Sequence, residues 1–188
     1  MLRIFILVLT AFMLAATSNT ADAGPEAESV ISQAAAELSQ GALTPDELAD
    51  LVDIEAVARF TLGRHADTLS ADEISDYTDA FGAFLETTFD AHADRFVGAD
   101  VTVVDSRDRS ARDSVVTVQV AFENRPPETV RWRVLSRGAT WKIVDVQVQG
   151  LWLAIEQRAQ ITAILESQGG LDAATRRLRE DTGESAAD

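Results

Sequence analysis

The sequence predicts an α+β fold: an antiparallel meander sheet, of the NTF2-like or cystatin-like kind, wrapped by N-terminal and C-terminal helices. Three observations carry this prediction. Apolar residues recur at helical spacing from Pro25 to Phe96. The period then shortens to 2 over residues 101–149, with turn residues between the runs. A helical period returns after Gly150. Helices, then a meander, then helices, with no βαβ alternation, is the α+β pattern.

The elements follow in order. Met1-Leu2-Arg3 is a short basic start, Ile4 to Ala16 is an apolar run broken only by Thr10, and Ala21-Asp22-Ala23 reads as an A-x-A cleavage site. Residues 1–23 are therefore expected to be a cleavable signal peptide. The apolar run is shorter than the ~20 residues a spanning helix needs. Residues 24–180 are expected to form one domain and 181–188 a flexible tail. Pro25 to Gln40 predicts a first helix, stopped at Gly41. Thr44-Pro45-Asp46-Glu47 is a capping box with proline in the first turn. Helical spacing resumes from Asp53 and stops at Leu62-Gly63-Arg64.

Ser70-Ala71-Asp72-Glu73 is a second capping box and opens the longest helix, to about Phe96. Ile74, Tyr77, Phe81, Phe84 and Leu85 mark one face; Asp72, Asp76, Asp79, Asp90 and Asp94 mark the other, read as solvated. Strands are predicted at Val101–Val104, Val116–Phe122, Val130–Val134 and Trp141–Gln149. Turns are placed at Asn124-Arg125-Pro126-Pro127 and at Arg137-Gly138-Ala139. In the last strand Trp141 and Ile143 share one parity and Val144, Val146 and Val148 the other, which predicts a bulge or cover on both faces. Gly150 is read as permitting a sharp strand-to-helix turn, with a helix from Leu151 to Ser167. Gly169-Gly170 breaks it, and a short helix runs from Leu171 to Arg179.

Composition narrows the function. The chain has 188 residues, net charge −15 and no cysteine. The leader holds one base and one acid, Arg3 and Asp22, so its removal leaves the charge unchanged. An acidic chain without a basic patch is not expected to bind nucleic acid or adsorb to an anionic bilayer. The lack of cysteine removes disulfides, thiolate nucleophiles, Cys-ligated metals and an N-terminal lipoprotein anchor. His65 and His92, the two histidines, have no partner at ligand spacing. No G-x-S-x-G, P-loop or dinucleotide fingerprint is present. The reading is of a protein that is not an enzyme, with no metal and no cofactor. An NTF2-like enzyme using His92, or an interaction module using the acidic helix face, are the alternatives.

Trp141-Lys142-Ile143-Val144-Asp145-Val146-Gln147-Val148-Gln149-Gly150, followed by Arg158-Ala159-Gln160-Ile161, resembles the C-terminal signature of the MlaC, or toluene-tolerance auxiliary, family of periplasmic phospholipid-binding proteins. Phe60-Thr61-Leu62-Gly63 and Gly169-Gly170-Leu171 match its other motifs. Trp152 departs from the pattern, standing where relatives commonly carry a small polar residue. The resemblance implies helices and a twisted sheet around an apolar cavity that takes the acyl tails of a glycerophospholipid as cargo. It implies shuttling across the periplasm between an outer-membrane lipoprotein complex and an inner-membrane ABC transporter bearing an MCE-domain subunit.

On that reading Val116, Val118, Val120, Val130, Trp132 and Val134 on the sheet, with Phe81, Phe84, Leu85 and Phe89 on the long helix, are the candidate tail contacts. The same residues serve equally as plain core, since both readings give one periodicity. Trp141 is read as core. Asp145 and Arg158 are expected to pair and fix the last strand against the next helix. Gly63 and Gly150 are expected to relieve backbone turns.

Overall fold

The computed structural model describes residues 25–167 and 169–185; the leader expected at residues 1–23 lies outside them. Among the described residues, six α-helices and five strands run in the order α1 (Pro25–Ser39), α2 (Pro45–Leu51), α3 (Ile54–Leu62), α4 (Ala71–Ala93), β1 (Asp100–Ser110), β2 (Asp113–Phe122), β3 (Arg125–Arg137), β4 (Thr140–Val148), β5 (Leu151–Trp152), α5 (Leu153–Leu165) and α6 (Gly170–Ser185). Short 3₁₀ turns follow α3 and α4, at Gly63–Thr68 and Asp94–Phe96. The strands form one antiparallel meander, β1-β2-β3-β4-β5, as the α+β reading expects.

Local chemistry sets the helix starts. In α2 the Glu47 amide donates to Thr44 Oγ1 at 3.3 Å and the Thr44 amide to Glu47 Oε2 at 2.9 Å. Ser70 and Glu73 repeat this reciprocal cap on α4, at 3.3 and 2.8 Å. Each box satisfies two amides that a helix start otherwise leaves unmet. Asp53 caps α3 through the Ala56 amide, 3.2 Å, and its other oxygen accepts from Arg137 Nε at 2.5 Å. One carboxylate thus starts a helix and ties it to the end of β3.

Two apolar clusters divide the interior. In the first, α1 lies across the sheet and places Ala27 and Ile31 on Val116, Val118, Val120, Val130, Val134 and Ile143. The second is helical: Val57, Ala58 and Leu62 of α3, Tyr77, Ala80 and Phe81 of α4, Ala154 and Ile161 of α5, and Ala174 and Leu178 of α6. Val52 packs on both clusters. Its parallel bridge to Ile143, and the Asp53 amide donating to the Ile143 carbonyl at 2.9 Å, sew the seam.

The structure corrects several sequence expectations. β1 extends to Ser110, well past Val104, because pairing with β2 holds a polar stretch that carries no apolar alternation of its own. The turn after β2 is Glu123-Asn124, so Pro126 and Pro127 lie within β3 rather than in the turn. They are tolerated there because β4 reaches only Val130 of β3 and the β2 register slips beside them.

Gly150 does not turn strand into helix. With Gln149 it makes a two-residue hairpin between β4 and β5, at φ 84° and 51°, and positive φ at both centres is what a type I′ turn requires. The helix therefore starts at Leu153, not Leu151. Of the two readings left open for β4, a bulge or cover on both faces, the structure shows a bulge: Arg133 faces Asp145 and Val134 faces Ile143, leaving Val144 extra. Finally, α6 continues to Ser185, so the expected tail is helical through residues 181–185. Thr182 Oγ1 bonds the Leu178 carbonyl at 2.9 Å and Asp181 pairs with Arg177 at 2.8 Å within that last stretch.

Candidate functional site

The sheet face under α1 is a continuous apolar surface. Antiparallel register fixes which side chains share it. Val101, Val120 and Glu128 align across β1, β2 and β3; Val103, Val118, Val130 and Val148 form the next row; Val116, Trp132 and Val146 follow; Val134 and Ile143 close it. Val116 and Val134 are fully buried, whereas Trp132, Val146, Val148, Val101 and Val103 keep partial access.

The candidate tail contacts therefore divide in two. Val116, Val118, Val120, Val130, Trp132 and Val134 stand together on this face. Phe81, Phe84 and Leu85 belong instead to the helical cluster, where Tyr77, Phe81 and Phe84 form a run of ring contacts at 6.2 and 6.3 Å. Phe89, further along α4, is half-buried. It is α1, not α4, that covers the sheet. Trp141 packs at the edge of the sheet cluster.

Sequence reasoning passed over two residues here. Ile31 lies on a helical stripe but nothing in the sequence says what α1 covers. Ser106 was hidden by a second bulge, at Val104 in β1. That bulge flips the parity, exposing Val104 and turning Ser106 to the inner face opposite Val116. Among the described residues, a buried Ser106 Oγ and a buried Trp132 Nε1 find no hydrogen-bond partner, and an unmet buried donor costs about 1–3 kcal/mol.

The expected Asp145–Arg158 pair is not made. Asp145 Oδ1 accepts from the amides of Ala154 and Val146, each at 2.9 Å. Trp152, the N-cap of α5, offers no side-chain cap, so a carboxylate from β4 fills that role and places negative charge at the positive helix end. Burial pushes the Asp145 carboxyl above its ordinary value, while the two amides and the charge of Arg133 hold it down in part. Arg158 lies over the Phe60 ring, 5.0 Å from its centre, against Gly63. Gly63 takes φ 58° and ψ −133° to end α3, a conformation side chains disfavour.

The outer sheet face is polar. Arg133 holds Asp113 through two bonds, 2.9 and 3.1 Å, which raises its pKa further. In the helical cluster Thr61 Oγ1 donates to the Ala58 carbonyl at 2.8 Å, so the Tyr77 hydroxyl is the donor in their 2.8 Å contact. Burial pushes Tyr77 up to about 12. Among the described residues no three His, Asp or Glu side chains gather to hold a metal, and no helix is long and apolar enough to cross a membrane. On the acidic face of α4, Asp76 pairs with Arg179 of α6 at 2.5 Å.

This arrangement, a one-sided antiparallel sheet with an aliphatic inner face beside a separate helical cluster, defines a class of small α+β proteins. The chain belongs to the MlaC family: the family model, described as MlaC protein, matches residues 29–180. No curated protein matches by sequence. Among solved structures, a phospholipid-binding protein from Ralstonia solanacearum, in complex with a phospholipid, shares the fold with a TM-score of 0.72 at 19% identity. The match covers 88% of this chain and 99% of that one.

Proposed function

We propose that this chain is a soluble periplasmic phospholipid carrier, exported by the leader at residues 1–23. It would hold acyl tails against the inner sheet face and shuttle lipid between an outer-membrane lipoprotein complex and an inner-membrane ABC transporter with an MCE-domain subunit. The observation that carries the reading is the Ralstonia solanacearum protein, which shares this fold over 99% of its length and was solved with a phospholipid.

Physical chemistry says what such a protein must supply. Each exposed CH₂ costs ~0.8 kcal/mol, so two acyl tails in water cost on the order of 20 kcal/mol or more. A carrier must replace most of that without directional bonds that would prevent release. Rows of valines across three strands have this character. They are covered by α1 through Ala27 and Ile31. At the C-terminal end of α1, Ser39 Oγ donates to the Ala99 carbonyl, just before β1, at 2.6 Å. Tails would enter by displacing α1 about that end. No residue in the scheme needs to react.

The test is an organic extract of protein purified from a bacterial host, analysed by mass spectrometry. Stoichiometric glycerophospholipid is expected. Protein that is repeatedly empty, and takes up none from vesicles, would sink the proposal.

A further inference from the structure

The inner sheet face is not wholly apolar. Ser106 lies opposite Val116, Val116 opposite Trp132, and Trp132 opposite Val146. Ser106 and Trp132 thus share one face and one cross-strand row, separated by a valine. Ser106 Oγ and Trp132 Nε1 are both buried, and among the described residues neither has a hydrogen-bond partner. An indole N–H can only donate, and a serine hydroxyl donates through its one proton. The side chains of Val116 and Val146 offer no acceptor, and the backbone of the row is engaged in the sheet.

We propose that this row is a polar subsite in an apolar wall, at which Trp132 Nε1–H and Ser106 Oγ–H donate to the ester carbonyl oxygens of a diacyl glycerolipid. The inference rests on the carrier reading and deepens it. An ester carbonyl is the neutral acceptor at the depth where acyl chains begin. A phosphate is disfavoured there for two reasons. It would bury a charge against apolar walls. It would also approach Asp108, the next inner-face position along β1, whose carboxylate accepts from Ser114 in the neighbouring row. With one donor on β1 and one on β3, the two esters of one glycerol can be met by different strands. The donors are covered in this closed arrangement and become available as α1 gives way to cargo.

The experiment uses delipidated full-length mature protein and an equimolar competition between dioleoyl phosphatidylcholine and its dialkyl ether analogue, which has the same head group and chains but no carbonyls. Bound lipid is quantified by mass spectrometry. The parent protein is expected to enrich the diester about 2–10-fold, the range a neutral hydrogen bond supplies. Trp132→Phe and Ser106→Ala should each lower that ratio, and the double variant should bring it to about one while still taking up ether lipid. If Trp132→Phe does not fold, Ser106→Ala carries the test alone. A parent with no ester preference, or variants that keep it, overturns the subsite and leaves the carrier reading standing. A parent that binds neither lipid overturns both.

Discussion

Asp145 shows how one side chain can be recognised in sequence and misassigned in role. Its place in the W-K-x-x-D pattern marks it, and a later arginine suggests a salt bridge. The structure gives it the amides of α5 instead, because the hairpin at Gln149-Gly150 carries Ala154 back against β4 within nine residues. Two consequences follow. Asp145→Ala leaves the Ala154 amide without its acceptor and is expected to cost about 1–3 kcal/mol in urea unfolding, whereas Asp145→Asn keeps the accepting oxygen and should cost less. The pH dependence has a definite sign. A carboxyl raised in the folded state binds its proton more tightly there than in the unfolded chain. Its contribution is therefore most favourable below the unfolded value near 3.9 and declines as pH rises through the folded value. The stability of Asp145→Asn relative to the parent should shift in the variant's favour over that rise. Gly63 is a related case, since only its backbone angles, invisible in sequence, show why a side chain would be strained there.

Elements were legible where their signals are local. Thr44…Glu47 and Ser70…Glu73 fix the starts of α2 and α4 through bonds within four residues, so the sequence names them directly. Ser70→Ala is expected to destabilise by about 1 kcal/mol, read by thermal or urea unfolding. The Glu73 carboxyl is held below its ordinary value by the Ser70 amide first and then the Ser70 hydroxyl. That contribution is present above the unfolded value near 4.3 and lost as pH falls through the folded one. The mutational cost should therefore shrink in acid. Elements failed where pairing overrode pattern: the polar half of β1, the prolines inside β3, and the two-residue β5. Each is held by pairing with a neighbouring strand, which its own apolar pattern does not report. The last turns of α6 were passed over for a similar reason, since their polar sequence gives no apolar period to follow.

At the scale of the whole molecule, the division into two clusters joined at Val52 assigns roles that periodicity left equal. Phe81, 2% exposed, sits between Tyr77 and Phe84 in the helical cluster and makes no part of the sheet cluster. Phe81→Ala is accordingly expected to cost about 3–5 kcal/mol of stability in urea unfolding. A loss under 1 kcal/mol would show that Phe81 lines a space rather than packs a core. The same division separates the candidate tail contacts into a sheet group that stands together and a helix group that stands elsewhere.

By itself the sequence determined the α+β class, the meander order, both capping boxes and the family, because each is written in spacing over a few residues or in a short motif. Only the tertiary structure decided that α1 covers the sheet, that Asp145 caps α5, and that Ser106 and Trp132 face the same interior. Each depends on how separate elements meet: a helix laid on a sheet, a hairpin that brings α5 back to β4, and a one-residue bulge in β1 that inverts the side chains beyond it. Such meetings are properties of two elements together.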